Sequence, residues 1–369
     1  KPIVAVTAMS MWEEGKFKLD DPISEHLPEW KEMKVREGDK EVPAKRPVTP
    51  RHLMTHTTGI TYDGRGVKLG GKDSLSDFSK SLASRPLVFH PGERYAYGYS
   101  IDVLGRYLEV VEGKTLDVIM RERVFDKLGM SDTEFWVRKE ENRSRIALVY
   151  RKDKEGELRQ AMGADAVMKR PPRMMGGQGL ISTTGDYARF CEMLLRKGEL
   201  NGKRVLKAGT VDLMLENHLK DIGKVYGLGG MVNGKGRYEW GGAAGTRFWV
   251  DCREGHYAVF MIQTWGYRPR TWEVFKKHAR AALASGSPVP ERPWSRSVLG
   301  GLRCAPLRPG RSNHPWRCAF QGTEREIGTM KAFLAAAAVS LGILGVVGPV
   351  SAQPRPDYDD YGGRGYRDR

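Results

Sequence analysis

The sequence predicts an α+β fold with two lobes. Residues 20–170 combine loops with helical patterns, a further helix follows between residues 183 and 198, and strand patterns dominate after it. With 369 residues and 40% hydrophobic content, the chain is long enough to bury one large core. We therefore expect one domain over residues 1–285, followed by a tail.

The chain opens with a helix that is apolar almost all round. Residues 1–9 have this pattern, and Gly15 ends it. Pro2 has no N–H and fits only a first helical turn, so the helix begins at or just before Lys1. A serine three residues before Lys1 would share its helix face, at the end where amides attract negative charge. Because the first residue is not methionine, we expect a fragment that lacks this serine.

Glycines mark where the later helices stop. The predicted helices are Ser100–Glu112 before Gly113, 116–128 before Gly129, and a helix capped by Thr183 or Thr184 that stops before Gly198. The lobe formed by residues 20–170 is expected to frame the mouth of the site.

Strands follow these helices. Residues 248–250 and 257–262 flank a turn at 251–255. The second run is apolar enough to predict a central strand that is covered on both faces. A last helix, 271–284, is expected to cover the sheet.

The tail follows different rules. Residues 286–329 are rich in Pro, Arg, Gly and Ser and predict an unstructured linker. Residues 330–352 have a charged start, an apolar middle and small residues before a cut site, which is typical of a signal peptide, and their length would also suit a transmembrane helix. Residues 353–369 are polar. We interpret everything after 285 as translational read-through and infer no function from it.

Composition excludes several classes of function. The net charge is +16, but the basic residues are not clustered and no nucleic-acid-binding motif is present, so no nucleic-acid partner is predicted. No membrane partner is predicted for residues 1–285. The four cysteines indicate neither a disulfide framework nor a zinc site, and the eight histidines are scattered, so no metal and no cofactor is predicted. The chain also lacks G-x-S-x-G and H-E-x-x-H.

Three segments carry the functional signal: Lys1 at a helix start, PGERYAYGYSIDVLG at 91–105, and EWGGAAGTRFWVD at 239–251. In this order they resemble the serine hydrolases related to class C β-lactamases and to family VIII carboxylesterases. LMTHTTGI at 53–60, LGMSDT at 128–133 and GGQGLIST at 176–183 resemble the same family. The resemblance implies a β-lactamase/transpeptidase-like fold, in which helices flank an antiparallel sheet and the second lobe is mainly helical.

The resemblance also implies the catalytic residues. Lys1 matches the lysine of S-x-x-K, which takes the proton of the serine nucleophile, and Tyr97 matches the tyrosine that relays it as general base and then acid. For this role the lysine pKa must fall from about 10.4 to near neutrality, which burial and a nearby cation can achieve. His56, in the segment 53–60, is interpreted as a structural hydrogen-bonding residue.

The substrate pocket is predicted from the same motifs. Trp240, Gly241 and Gly242 stand where β-lactamases have Lys-Thr-Gly, and tryptophan cannot hold a substrate carboxylate as that lysine does. The N–H of Ala243 is the candidate second donor to the oxyanion. The last predicted pocket residues are Gly177 and Gln178, for which a helix-entry turn is the alternative.

We therefore expect a serine hydrolase that forms an acyl-enzyme and acts on small acyl esters by hydrolysis or transesterification. Hydrolysis of β-lactams or D-amino peptides is the alternative, and a non-catalytic ligand-binding relative is a third hypothesis. The printed sequence contains no S-x-x-K and is expected to be inactive as it stands. A bacterial cytoplasmic location is expected rather than a periplasmic one.

Overall fold

The computed structural model of the protein describes residues 1–62, 73–266 and 270–284. The helices are Pro2–Glu13 (α1), Pro50–Thr55 (α2), Leu75–Ala83 (α3), Ser100–Glu112 (α4), Leu116–Met120 (α5), Asp126–Leu128 (α6), Thr184–Leu195 (α7), Ala208–Leu215 (α8) and Arg270–Ala284 (α9). The strands are Lys34–Glu37 (β1), Lys40–Pro43 (β2), Val149–Lys152 (β3), Leu158–Met162 (β4), Glu199–Leu200 (β5), Lys203–Arg204 (β6), Met231–Val232 (β7), Arg237–Gly241 (β8), Arg247–Asp251 (β9), His256–Phe260 (β10) and Thr264–Trp265 (β11). Short 3₁₀ helices lie at Ile23–Glu25, Pro28–Trp30, Glu140–Arg145, Ala164–Val167 and Lys220–Ile222, and a π-helical turn, Arg121–Phe125, joins α5 to α6.

The α+β prediction is confirmed. The largest sheet in the described residues has four antiparallel strands in the order β10-β9-β8-β7, and α7 packs against β9 and β10. Helices α2, α3 and α5 pack around α4, which also contacts α1. The first helix is therefore part of the helical side of the fold.

The position of one strand differs from the prediction. We expected residues 257–262 to form a central strand, but in the described part of the chain β10 is the last strand of its sheet and pairs with β9 alone. All five β10 residues are half-buried, whereas four of the five residues of β9 are fully buried. The apolar run misled the prediction because its later residue Met261 leaves the ladder and lines a cavity instead.

A smaller sheet holds the end of this run in place. β3 and β4 form an antiparallel hairpin, and β11 adds to β3 in parallel, with Thr264 opposite Tyr150. Two further hairpins, β1–β2 and β5–β6, complete the strands of the described residues.

The first helix is a core element, as predicted. Every residue of α1 from Pro2 to Met11 is buried. Burying one large aliphatic side chain stabilises a fold by about 1.5–3 kcal/mol, which accounts for a helix without a polar face. At Gly229, which has φ of +78°, a Cβ would lie 2.1 Å from the Cβ of Ala5, so only glycine allows this loop to reach the helix.

The predicted helix ends are confirmed. Gly113 and Gly129 follow their helices in the left-handed conformation, with φ of 71° and 65°. The Thr183 side chain accepts a hydrogen bond of 3.1 Å from the Asp186 N–H and so caps α7. The π-helical turn inside the predicted helix 116–128 has no counterpart in the sequence pattern.

α9 belongs to a second compact unit, whereas the other described elements lie in the first. Its helical state agrees with the predicted helix 271–284, and its Trp272 and Phe275 rings stack with centroids 5.5 Å apart. That this helix covers the sheet stays a prediction. The predictions for 286–329, 330–352 and 353–369 lie outside the described residues.

Across the described ranges, none of the helices combines the length and the apolar character needed to span a bilayer.

Candidate active site

A cavity of about 170 Å³ lies where the start of α1 meets the β8–β9 turn. All eight residues that the sequence predicted for the site line this cavity: Lys1, Tyr97, Gly177, Gln178, Trp240, Gly241, Gly242 and Ala243. They come from four separate stretches of the chain. The fold therefore brings the predicted residues together, while their catalytic roles stay predictions.

Lys1 points its amine into this cavity from the N-cap position of α1. The Lys1 Nζ donates a hydrogen bond of 2.7 Å to the carbonyl oxygen of Gly177. The same Nζ lies 4.8 Å from the centroid of the Tyr97 ring. The helix holds the main chain, because the Lys1 carbonyl accepts a 3.0 Å bond from the Ala5 N–H. The amine and the phenol ring are thus neighbours.

Tyr97 is held by close packing on both sides. Its ring centroid lies 5.7 Å from that of Trp240 and 5.3 Å from that of Tyr62. A Cβ at the next residue, Gly98, would lie 2.2 Å from the Ile60 carbonyl oxygen. The backbone beside Tyr97 therefore tolerates no side chain, which explains a glycine at this position.

His56 packs inside the aromatic cluster, and the expectation that it forms structural hydrogen bonds is wrong. Its ring centroid is 4.8 Å from that of Tyr97 and its ring stacks on Trp240 at 6.4 Å. Neither ring nitrogen has a hydrogen-bond partner among the described residues. Burial, reinforced by the charge of Lys1, places the pKa of His56 well below its usual value. The ring is therefore neutral, and its role is packing.

The Trp-Gly-Gly motif forms the end of β8 and the turn that follows. Trp240 pairs with Phe248 across the ladder, and the Gly242 N–H donates a 2.7 Å bond to the Thr246 carbonyl. A Cβ on Gly242 would lie 2.2 Å from Thr246 Oγ1, so a larger residue there would require the Thr246 side chain to move. The Ala243 N–H has no hydrogen-bond acceptor in the described part of the chain. This amide is therefore available to a ligand oxygen in the cavity.

Sequence reasoning missed the residue that holds Gly177. Asp102, in the first turn of α4, is 1% exposed and its Oδ1 accepts a 2.8 Å bond from the Gly177 N–H. A Cβ on Gly177 would lie 2.6 Å from Asp102 Oδ2. Burial raises the pKa of Asp102, while the charge of Lys1 and the Gly177 N–H oppose this rise. The available signal was a single carboxylate within the apolar run 101–104.

Two other cavity residues were also missed. Arg247, the partner of Gly241 on β9, and Gln263, just before β11, both line the cavity. Arg247 lies within the segment 239–251 but was not selected as a pocket residue, whereas Gln263 lies outside the family segments and local sequence offered no signal for it.

Comparison with known proteins places these observations in a family. A family model described as Beta-lactamase matches residues 1–279. The chain belongs to the beta-lactamase family. An uncharacterized protein of Mycobacterium tuberculosis (strain CDC 1551 / Oshkosh) is 33% identical to this family member over 305 residues, which cover 71% of this chain and 75% of that protein.

Two further relatives of this beta-lactamase-family chain have described activities. Lovastatin esterase of Penicillium rubens is 28% identical, over 71% of this chain and 77% of the esterase. The solved structure of EstCE1, described as a hydrolase with promiscuous acyltransferase activity, superimposes with a TM-score of 0.60 at 25% identity. That superposition covers 72% of this chain and 78% of EstCE1.

The arrangement suits acyl transfer chemistry. An amine and a phenol lie side by side at one end of an otherwise largely apolar cavity, and an unpaired backbone N–H lies on its wall. A base, a proton relay and an oxyanion donor are the groups that a hydroxyl nucleophile needs. In the described residues, no group of three or more His, Cys, Asp or Glu side chains is placed to hold a metal ion.

Proposed function

We propose that this protein is a serine hydrolase that works through an acyl-enzyme and acts on carboxylic esters by hydrolysis or transesterification. The observation that carries the proposal is the position of the Lys1 amine, 4.8 Å from the Tyr97 ring centroid, in a cavity shared with Trp240. The esterase and the acyltransferase-active hydrolase among its relatives support the reaction class.

The nucleophile in this proposal is a serine three residues before Lys1. One helical turn would place its hydroxyl beside the amine of Lys1. The serine oxygen attacks the ester carbonyl carbon while its proton passes through the Tyr97 phenol to the Lys1 amine, which accepts it in its unprotonated form. The carbonyl oxygen becomes an oxyanion that accepts a hydrogen bond from the Ala243 N–H.

Collapse of this intermediate expels the alcohol and leaves the acyl group on the serine. The departing alkoxide takes its proton from Tyr97, which regains one from Lys1, so both groups return to their starting states. Water then attacks the acyl-enzyme and releases the acid, and an alcohol in place of water gives a new ester. Hydrolysis and transesterification therefore differ only in the acceptor.

The cavity walls favour an uncharged ester. Trp240 occupies the motif position at which β-lactamases have a cation, and the side chains around it are mostly apolar. One observation favours the second candidate, hydrolysis of a β-lactam or a D-amino peptide. Arg247 lines the same cavity opposite Gly241, and its guanidinium is suited to a substrate carboxylate.

The test is a serine-extended protein, which carries a short N-terminal segment with serine three residues before Lys1. Its matched control has alanine at that position. We expect the serine form to release p-nitrophenol from p-nitrophenyl butanoate with an initial burst, and the alanine form to show no burst. Little turnover of a chromogenic cephalosporin is expected.

Circular dichroism establishes that both forms are folded. If the serine form is folded but hydrolyses neither the ester nor the cephalosporin faster than the alanine form, the proposal is contradicted. Faster turnover of the cephalosporin than of the ester would instead support the second candidate, and Arg247→Gln should then reduce that turnover.

A further inference from the structure

Gln263 is a buried amide on the cavity wall. The residue is 4% exposed, and neither Nε2 nor Oε1 has a hydrogen-bond partner in the part of the chain that the structure describes. A buried donor and a buried acceptor without partners are costly, and such groups are paired in most proteins. Gln263 therefore stands out as a buried polar group that lacks a partner among the described residues.

The backbone orients this side chain towards the cavity. Val259, Met261 and Gln263 all line the cavity, whereas Phe260 and Ile262 do not. This spacing of two residues is that of an extended chain, in which alternate side chains point to the same side. The carbonyl of Gln263 is already used, because it accepts a 2.9 Å bond from the Tyr150 N–H. The side-chain amide is left for a ligand.

Two other polar side chains on the cavity wall, Thr133 and Ser182, have partners. Thr133 Oγ1 and Ser182 Oγ form a 2.9 Å hydrogen bond, and Thr133 also donates to Asp186 at 2.9 Å. The apolar side chains that line the cavity include Ile3, Leu180, Tyr187, Phe248, Val259 and Met261. The Gln263 amide is thus an unpaired polar group on a largely apolar wall.

A backbone hydrogen bond joins the segment of Gln263 to the turn that carries Ala243. The N–H of the next residue, Thr264, donates a 2.9 Å bond to the carbonyl of Ala244, which follows the proposed oxyanion donor Ala243. The segment that carries Gln263 is therefore hydrogen-bonded to the turn that carries Ala243, and both residues line the same cavity.

We propose that Gln263 is a specificity-determining residue that binds a hydroxyl on the acyl chain, so that the substrates are hydroxyacyl esters such as 3-hydroxyacyl esters. A hydroxyl both donates and accepts, which matches the unpaired Oε1 and Nε2. The acyl side is favoured because the alcohol must leave towards solvent, whereas the acyl group stays attached in the buried part. This inference rests on the proposed ester substrate.

Two esters of equal chain length test the inference: p-nitrophenyl butanoate and p-nitrophenyl 3-hydroxybutanoate. Binding to the chain as printed is measured by calorimetry, and kcat/KM is measured on the serine-extended protein. We expect the hydroxy ester to bind about tenfold more tightly, the factor that corresponds to about 1.4 kcal/mol. Gln263→Met, which preserves volume but removes the amide, should abolish this preference without weakening binding of the plain ester.

The matched control is Met261→Leu, on the same wall and two residues away. It alters shape without altering polarity, so it should change the affinities of both esters by the same factor. Gln263→Leu is a second variant should Gln263→Met fail to fold. Because these variants remove an unpaired buried amide, we expect a melting temperature at least as high as that of the parent.

Equal affinity of the parent for the two esters, or an equal loss of both affinities in Gln263→Met, would overturn the inference. Binding requires no chemistry, so the two proposals can fail separately. A preference in binding without any turnover by the serine-extended protein would contradict the proposed function alone. Turnover of both esters with equal kcat/KM would contradict the role of Gln263 alone.

Discussion

The carboxylate of Asp102 accepts a 2.8 Å hydrogen bond from the N–H of Gly177, and the carbonyl of that glycine accepts a 2.7 Å bond from Lys1 Nζ. Asp102 fixes the backbone of Gly177, and the partly negative carbonyl oxygen of that glycine in turn fixes the position of the amine. This chain of contacts joins α4, the loop before α7 and the start of α1.

Asp102→Asn should change how stability depends on pH. Burial raises the folded-state pKa of Asp102, so ionisation destabilises the fold progressively as pH rises from the unfolded pKa of about 3.9 through the folded pKa. Asparagine does not ionise and still accepts the Gly177 N–H. We expect the unfolding free energy of the variant, relative to the parent, to rise above about pH 4 and then to level off. Denaturant titrations over a pH series measure this difference.

Asp77→Asn is the control for that experiment, because its effect on stability should change with pH in the opposite direction. Asp77 is exposed, and hydrogen bonds from Ser74 lower its pKa. Its contribution to stability is present above the unfolded pKa and is lost as pH falls, so Asp77→Asn should cost stability at neutral pH and less in acid. A difference between Asp102→Asn and the parent that is the same at every pH would contradict a buried, ionising Asp102.

His56→Asn should reduce the sensitivity of the fold to acid. The folded pKa of His56 lies well below its ordinary value of about 6.5, so the stability that its neutral ring provides is lost as pH falls below about 6.5. One proton contributes a slope of up to about 1.4 kcal/mol per pH unit. Asparagine tolerates the left-handed backbone at this position, where φ is 55°. Between pH 7 and 5, the unfolding free energy of the variant should fall less steeply with decreasing pH than that of the parent. The difference in slope should correspond to about one proton.

His52 supplies a built-in reference for this measurement. Burial lowers its pKa to about 4, so it should contribute a similar slope that His56→Asn leaves in place. A variant with the full slope of the parent would show that His56 does not take up the proton.

Gly98→Ala should impair activity more than stability alone would explain. The added Cβ would lie 2.2 Å from the Ile60 carbonyl oxygen, so the backbone beside Tyr97 must move. We expect a loss of about 1–3 kcal/mol in unfolding free energy, as for other overpacked sites. We also expect at least a tenfold loss of kcat in the serine-extended protein, since small misplacements of catalytic groups are costly.

Gly113→Ala separates the two effects. Gly113 has a positive φ of 71°, but a Cβ there meets nothing within 4 Å. Its cost is backbone strain of roughly 1–2 kcal/mol, without displacement of Tyr97. If Gly113→Ala lowered kcat as much as Gly98→Ala, the loss would follow from stability and not from the position of Tyr97.

Tyr97→Phe should remove proton relay and leave packing intact. The ring contacts with His56 and Trp240 need no hydroxyl, so folding should be retained. General acid–base catalysis contributes about 10²–10⁴-fold, and we expect a loss of kcat in that range in the serine-extended protein. Stopped-flow measurement of the acylation burst gives the rate. A kcat within threefold of the parent would exclude Tyr97 as the relay.

Local patterns predicted much of the helical structure and the composition of the site. Some features depend only on a residue's own backbone or on a close neighbour, so a short stretch of sequence reveals them. Examples are the glycines that end helices, Gly113 and Gly129, and the helix cap Thr183. The family motifs likewise predicted eight residues that meet at one cavity. These signals lie within a few residues of the feature that they specify.

Long-range contacts account for what was missed. The edge position of β10 depends on which strands pair with it, and an apolar run does not reveal its partners. Asp102 reaches Gly177, 75 residues away, and Gln263 gains its importance from the cavity that it faces. The hydrogen bonds expected of His56 failed because the neighbours of its ring are aromatic.

The contact between Gly229 and α1 restricts how the protein can vary. A methyl group at 229 would need the space that the methyl group of Ala5 occupies, and the only smaller residue for position 5 is a glycine within a helix, at a cost of about 0.5–1 kcal/mol. Since α1 carries Lys1 and the loop at 229 leads into the hairpin that carries Trp240, a change at either position shifts the amine relative to the indole. Laboratory evolution of this enzyme should therefore leave both positions unchanged while it diversifies the cavity walls.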